Sequence, residues 1–553
     1  MTLPDATEAG RPIDWLLRKS ERDNPRTRLD ARHPDDEAWS EGNRVRPLIH
    51  GAAYFAELFA CIEATVGGDL VLFTDWQGDA DERLTGEPGS EVAQVLDRAD
   101  KRGVDVRGLV WRSHWAALGF NAGENRRLGK DLQSSGAEVL LDMRVRTGGS
   151  HHQKFVVVRH RDDPTRDVAF VGGIDLCHSR HDDAEHAGDP QPVPMASEYG
   201  ATPPWHDIQV AISGPAVHDV ETVFRERWED PTPLSRNPLY WVQDRLFGMD
   251  HSPNPLPEQT PPPPPVPEVD GGTHTVQLLR TYPNLRHGRD YPFARGGERT
   301  VARGYTKALK RARRLIYVED QYLWGHHVGH VFTEALREQR DLRVIAVVPL
   351  HTDQEGWLER TPQMLGRRRS MREMIRAAPG RVAVYGLENP QGTPVYVHAK
   401  TCMIDDVWAT VGSDNFNRRS WTHDSELTVA VMDSRPDNEA YSRFARTLRL
   451  RLVAEHLDRD VDDSPGADQE ERLLEAVGDC LEPEAMFDAF EKSAEALDAW
   501  HAGGGVGPRP PGRLRRMQPP RLGLVTRAAA SIPYLLLDDP DGRPRPLRHT
   551  SRF

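Results

Sequence analysis

The sequence predicts an α/β protein made of two duplicated, layered α/β halves with a helical extension after the second half. Three observations carry this. Short apolar strands alternate with amphipathic helices, the pattern of layered α/β folds. The same order of elements occurs twice. A polyproline run, SPNPLPEQTPPPPPVPEVDGG from Ser252 to Gly272, separates the two copies; such a run forms a semi-rigid spacer that cannot enter a sheet interior.

The elements follow in order. Ala53 to Val66 carries Phe55, Leu58, Phe59 and Ile62 at helical spacing, Gly67-Gly68 stops it, and the strand Leu70 to Phe73 runs into Asp75-Trp76. The second half repeats this with a helix from Arg303 to Arg314 and a strand from Leu315 to Val318, ending in Glu319-Asp320-Gln321-Tyr322. A second helix and strand follow in each half, Val92 to Arg102 then Val106 to Trp111, against Phe332 to Arg340 then Leu342 to Val348. Third strands fall at Glu138 to Leu141 and Val382 to Tyr385. Helical connections of this kind predict a mainly parallel sheet in each half.

The resulting division is a polar, irregular stretch over 1–45, a first repeat over 46–250, the Pro-rich linker over 251–272 and a second repeat over 273–435. A helical, largely acidic extension covers 436–501, and a Gly/Pro-rich tail covers 502–553. The tail holds ten Arg against three Asp and reads as a solvated, disordered segment able to meet an anionic surface.

Composition narrows the class. At 38% hydrophobic and 28% charged the 553 residues can build substantial cores. No run reaches the roughly 18–20 apolar residues that span a bilayer. MTLPDATEAGRPIDWLLRKSERDNP shows no basic segment leading into an apolar one, and four cysteines without CxxC spacing form no disulfide or metal framework. A cytoplasmic protein, peripheral to a membrane at most, is the expectation. The net charge of −14 argues against a nucleic-acid partner.

The chemistry sits at the end of each repeat. In PVYVHAKTCMIDDVWATVGSDN, His398 and Lys400 are two apart on a strand and share a face. Asp405-Asp406 turns the hairpin, and the return strand brings Gly412, Ser413 and Asn415 close by. Imidazole, ammonium, amide and backbone N–H groups then converge as a phosphate pocket. SHHQKFVVV with VAFVGGIDL offers His152, Lys154, Gly173 and Asp175 in the same way. Only eight of the 71 basic residues are lysines, yet both His-x-Lys pairs keep one, the compact ammonium suited to a phosphate oxygen.

HxKxxxxD followed by GSxN, present twice, is the signature of the phospholipase D superfamily, which this chain resembles. The second copy matches at His398, Lys400, Asp405, Ser413 and Asn415. The first matches at His152 and Lys154, has GGID for GSxN, and carries Arg159 where the motif has Asp; Asp162, Asp163 or Asp167 of its longer loop could substitute. HHQK, PWHD, IYVEDQYLW and DSEL are similar to phosphatidylcholine-hydrolysing members.

The resemblance implies a phosphodiesterase that hydrolyses glycerophospholipids, and can transfer the phosphatidyl group to alcohols, through a phosphohistidine. His152 is the implied nucleophile and His398 the acid. Lys154, Lys400 and Asn415 hold phosphate oxygens, and no metal or cofactor is expected. Asp207 is expected to orient His152, and Glu426 to orient His398. Asp405 is structural, and Ser413, Gly173 and Asp175 border the phosphate. His151, His178, His206 and His423 flank the motifs as pocket or structural residues. Trp76, Trp115 and Tyr322 could line a cleft, although packing is the better reading. The resemblance also implies two duplicated α/β sandwich domains with one pseudo-two-fold active site between them; one chain completes that site, so a monomer suffices. Nuclease, cardiolipin synthase-like and non-catalytic phosphate-binding readings stand as alternatives.

Overall fold

The computed structural model describes residues 10–114, 122–246, 248–285, 290–323, 325–433, 443–461, 469–548, 550 and 553. Each half is built on a row of seven paired strands, and the order of that row is the same in both. In the first it runs Glu138–Asp142, Asp105–Trp111, Leu70–Asp75, Phe155–Arg159, Val168–Gly172, Ile208–Ser213, Ser40–Ile49. In the second it runs Val382–Glu388, Arg343–Val347, Leu315–Asp320, Lys400–Ile404, Trp408–Gly412, Glu426–Asp433, His274–Tyr282.

The expected mainly parallel sheet is corrected to a mixed one, because only the first three strands of each order pair in parallel. Parallel pairing needs a crossover long enough to hold a helix. Those strands are joined through helices Val92–Lys101, Ala122–Ser135, His326–Glu338 and Trp357–Ala377; the motif strands return through short loops and pair antiparallel.

Alternation along the strands sorts the side chains into layers. Leu72, Val157 and Val210 meet Tyr317, Val411 and Val429 in one core between the two sheets. Val71, Phe73 and Val156 face the other way, under helices Gly51–Glu63 and Val92–Lys101. Ile316, Val318 and Cys402 do the same under Thr300–Leu309 and His326–Glu338. Burial on both faces is why these strands read as unbroken apolar runs. Ser40–Ile49 pairs with both Ile208–Ser213 and His274–Tyr282 and so links the halves.

The Pro-rich segment lies extended along the first half. Asn254 accepts from Trp228 at 2.8 Å, Pro261 from Arg159 at 2.8 Å, and Val266 donates to Gly42 at 2.9 Å.

The expected solvated tail is also corrected. Leu514–Arg516 adds a strand to the free edge of Val382–Glu388. Helix Leu524–Pro533 places Ala530 against Leu365 of the long helix Trp357–Ala377, and Arg543 is fully buried. An edge to pair with and a helix to lie on give this Gly/Pro-rich segment contacts that its composition does not reveal. The polar beginning is anchored likewise: Leu16 and Leu17 enter the second half's core, and Gln277 hydrogen-bonds both backbone groups of Leu17 at 2.8 Å. Helices Arg443–His456, Gln469–Val477 and Pro483–Ala502 form the extension. Among the described residues no helix is long and apolar enough to cross a membrane.

Candidate active site

Each motif histidine is stitched by its backbone to the opposite half. His152 N donates to Ser425 O at 2.9 Å, beside a bridge between His151 and Ser425. Pro394–Val397 pairs in parallel with Trp205–His206, and His398 N donates to His206 O at 2.7 Å. In both cases the partner directly precedes a carboxylate residue.

The side chains follow the backbone, and the expected pairing is thereby exchanged. His152 Nδ1 donates to Glu426 Oε2 at 2.9 Å, and His398 Nδ1 donates to Asp207 Oδ2 at 2.6 Å. Assigning each histidine the carboxylate of its own repeat was natural from chain order. The crossed strand ends bring the other repeat's carboxylate instead. Both Nδ1 atoms are engaged by a carboxylate. That fixes the tautomer with Nε2 facing the site.

The return strands support the carboxylates symmetrically. Ser413 Oγ donates to Glu426 Oε2 at 2.6 Å and accepts from Leu427 N at 3.1 Å. At the matching place Gly173 packs so closely on Asp207 that a Cβ would lie 2.2 Å from Oδ1. A side chain there would displace the carboxylate that orients His398. Gly173 and Ser413 thus touch the orienting carboxylates.

Lys154 and Lys400 point inward, each donating to the carbonyl of its motif histidine. Asp175, at the place matching Asn415, lies 3.6 Å from Lys154 and accepts from the N–H groups of Trp76 and Gln77, so its charge is paired. The Asn415 side-chain oxygen is buried without a hydrogen-bond partner among the described residues.

Burial, and then the two lysines, hold the His152 imidazole well below its usual range; burial and Lys400 do the same for His398. Burial pushes Asp207 up to about 6 against the pull of Lys400, and raises Glu426 as well. Burial also brings Lys400 down to about 8, with Asp207 opposing. The site therefore holds neutral imidazoles beside ammonium groups, ready for an anion.

Asp405 stands at the far end of the strand, roughly 16 Å from Lys400. It accepts backbone hydrogen bonds from Arg313, Arg314 and Leu315 at 2.6–2.8 Å. In the first half Arg159 reaches Asp167 at 2.9 Å and Glu221 at 2.8 Å. Asp162 and Asp163 are exposed, whereas Asp167 is buried and accepts from His160 N.

Sequence reasoning passed over Trp205 and Arg180 as site neighbours, whereas Trp76 is named there as a residue that could line the cleft. Trp205 lies 4.9 Å from the His398 ring with Arg180 stacked over it at 3.8 Å. Trp76 is 6.0 Å from the His152 ring and 5.8 Å from the Lys154 ammonium. Asp320 accepts from Tyr322 N and Phe416 N and so pins the chain after Asn415. Trp205 and Asp320 sit inside PWHD and IYVEDQYLW, which was the available signal. His206 bonds Glu319, His178 lies beside Asp79 and His151 bonds Gln153. Trp115 lies outside the described residues.

Two inward-facing imidazole–carboxylate pairs flanked by lysines can hold an anionic group and move protons beside it. A family model described as phospholipase D matches residues 69–352, and one described as cardiolipin synthase, PLD-like domain, matches 305–448. The chain belongs to the phospholipase D superfamily. It is 26% identical over 525 residues to phospholipase D beta 2 of Arabidopsis thaliana, covering 70% of this chain and 55% of that protein. It is 26% identical over 494 residues to phospholipase D alpha 1 of Cynara cardunculus, covering 67% and 59%. The chain thus spans under two thirds of these relatives. Among solved structures, the phosphatidylserine synthase of Haemophilus influenzae Rd KW20 aligns with a TM-score of 0.48 at 13% identity, covering 83% of this chain and 94% of that one.

Proposed function

We propose that the protein is a phosphodiesterase of phospholipase D type that cleaves glycerophospholipid headgroups through a covalent phosphohistidine. The observation that carries this is the pair of exchanged dyads, His152–Glu426 and His398–Asp207, each presenting Nε2 to one site. His152 Nε2 attacks phosphorus, forming the P–N bond as the P–O bond to the leaving alcohol breaks. His398 Nε2 gives its proton to that alcohol, the imidazolium having been favoured by the arriving phosphate anion and by Asp207. His398 then takes a proton from water or a second alcohol, which attacks phosphorus and breaks the P–N bond. General acid–base assistance of this kind contributes about 10²–10⁴-fold. Lys154, Lys400 and Asn415 hold the non-bridging oxygens where charge accumulates. With two ammonium groups at that place, the reading assigns no catalytic metal or cofactor.

A lipid substrate is favoured by an apolar ridge. Ile532, Leu535, Leu536 and Leu537 are 48–68% exposed, and helix Leu524–Pro533, which leads into the leucines, brings Arg527 near Arg368, Arg372 and Arg376. Leu537 O accepts from Arg419, whose charge acts on His152 and whose other nitrogen reaches Gly148. An amphipathic surface with arginines on its flank suits anionic headgroups above acyl chains, and sets the chain peripherally on a membrane.

Phosphatidyl transfer as the main reaction is the second reading, favoured by the cardiolipin synthase description of residues 305–448. Phosphatidylcholine vesicles with a primary alcohol, and chelator added with the substrate, test both, using wild type and His152→Ala. Phosphatidic acid and phosphatidyl-alcohol from wild type alone support the proposal, and their ratio separates hydrolysis from transfer. Neither product from phosphatidylcholine or from anionic phospholipids would overturn the lipid reading and turn attention to nucleic-acid phosphodiesters or to binding without turnover.

A further inference from the structure

Behind the His398–Asp207 dyad lies a buried cluster that the mechanism leaves unused. His50 follows the strand Ser40–Ile49, His186 lies in the loop after Gly172, and His206 precedes Asp207. Glu455 and His456 end helix Arg443–His456, and Glu319 stands near the end of Leu315–Asp320. Around Glu455, its Oε2 is 2.8 Å from His50 Nε2, and its Oε1 is 3.1 Å from His186 Nε2 and 3.4 Å from His206 Nδ1.

With every histidine neutral, the proton inventory does not close on this arrangement. His186 Nδ1 lies 3.1 Å from the Trp205 carbonyl, which can only accept, so the proton of a neutral His186 is on Nδ1. His206 Nε2 lies 2.6 Å from the Glu319 carboxylate, so its proton is on Nε2. The remaining nitrogens, His186 Nε2 and His206 Nδ1, then both aim lone pairs at the same carboxylate oxygen. Either a second proton on His206 or a shared metal cation resolves the three converging acceptors, and the closed set of four ligand atoms favours the metal.

We propose that His50 Nε2, His186 Nε2, His206 Nδ1 and one Glu455 carboxylate oxygen bind a single structural divalent transition-metal ion, with zinc the best fit to a tetrahedral three-nitrogen, one-oxygen set. The four atoms lie within 4.8 Å of one another. Ligands at about 2.1 Å from a tetrahedral ion stand about 3.4 Å apart and set ring centres about 5 Å apart. The three ring-centre separations are 4.8, 5.1 and 5.6 Å, so a small inward shift suffices. The outer contacts are those that orient metal-bound imidazoles: Glu319 holds His206 and also His456 at 2.7 Å, and a backbone carbonyl holds His186. His50 is held at φ 69° and ψ 157°, a conformation otherwise left to glycine that persists only where its surroundings enforce it. Four protein ligands close the site to substrate, so the ion braces rather than reacts. The brace reaches the catalytic groups, since His50 N donates to Asp207 O at 2.8 Å and His206 O holds His398 N.

The test uses the full-length chain without a histidine tag. Elemental analysis should find about one zinc per chain, reduced to under about 0.1 in His186→Gln and Glu455→Gln and unchanged in His218→Gln. Cobalt exchanged into the wild type should give the intense visible bands of a tetrahedral site, absent from the two variants. Circular dichroism checks that each variant folds, and His50→Gln replaces any that does not. Under about 0.1 metal per chain both as purified and after zinc incubation, without cobalt bands, would overturn the proposal in favour of a protonated histidine network. Metal retained in all ligand variants would overturn it equally, by placing the ion elsewhere. None of these readouts uses phosphodiester turnover, so they stand whatever the substrate proves to be.

Discussion

At the residue scale, the proposed chemistry depends on tautomers and charges that single substitutions reset. His152→Ala should lower turnover by at least about 10³-fold. Asp207→Asn and Glu426→Gln keep the shapes but lose the charge that holds Nδ1–H, and should cost about 10²–10⁴-fold in kcat with little change in KM. Steady-state kinetics on vesicles checks all three, and an unaffected Glu426→Gln would remove Glu426 from the mechanism. Lys400 gives a pH prediction. Burial lowers it to about 8, so its ammonium is complete below that pH and is lost as pH rises through it. A phosphate ligand that loses its charge binds less, so kcat/KM should fall above about pH 8, with KM rising first. A profile flat to pH 10 would contradict this role for Lys400.

Elements explain what the sequence could and could not reveal. The motif hairpins were legible because His398, Lys400, Asp405 and Asn415 lie within one local unit, where alternation fixes the faces. The partners of the histidines were not legible. Glu426 lies 274 residues from His152 and Asp207 lies 191 from His398, and no local periodicity reports which strand ends cross. The tail failed for a related reason, since Leu514 and Arg543 are buried only against segments that composition cannot name. Parallel pairing was over-extended because the helical connections of the first three strands outweighed the motif hairpin, whose two-residue turn already implies an antiparallel pair. Asp405 offers a test at this scale. It accepts three backbone N–H groups and turns the hairpin at φ 54°. Asp405→Ala should destabilise the fold by about 1–3 kcal/mol, read by denaturant unfolding, while the folded fraction keeps its kcat. Equal loss of kcat would show that the turn reaches the chemistry.

On the scale of the whole molecule, two sheets share one core, and the terminal segments tie into the second repeat. The exposed ridge after helix Leu524–Pro533 predicts that Leu535→Asp with Leu536→Asp weakens sedimentation with anionic vesicles at least about tenfold while leaving hydrolysis of a monomeric short-chain substrate unchanged. Unaltered vesicle binding would reassign the ridge. The exchanged dyads have a consequence for how such a chain can vary. Because the orienting carboxylate of each histidine is supplied by the other repeat, neither repeat could be recombined or replaced alone without disabling both histidines. The two copies are free to diverge in their loops, as the Arg159 loop has, but must remain matched where they cross, so the duplication behaves as a single inherited unit.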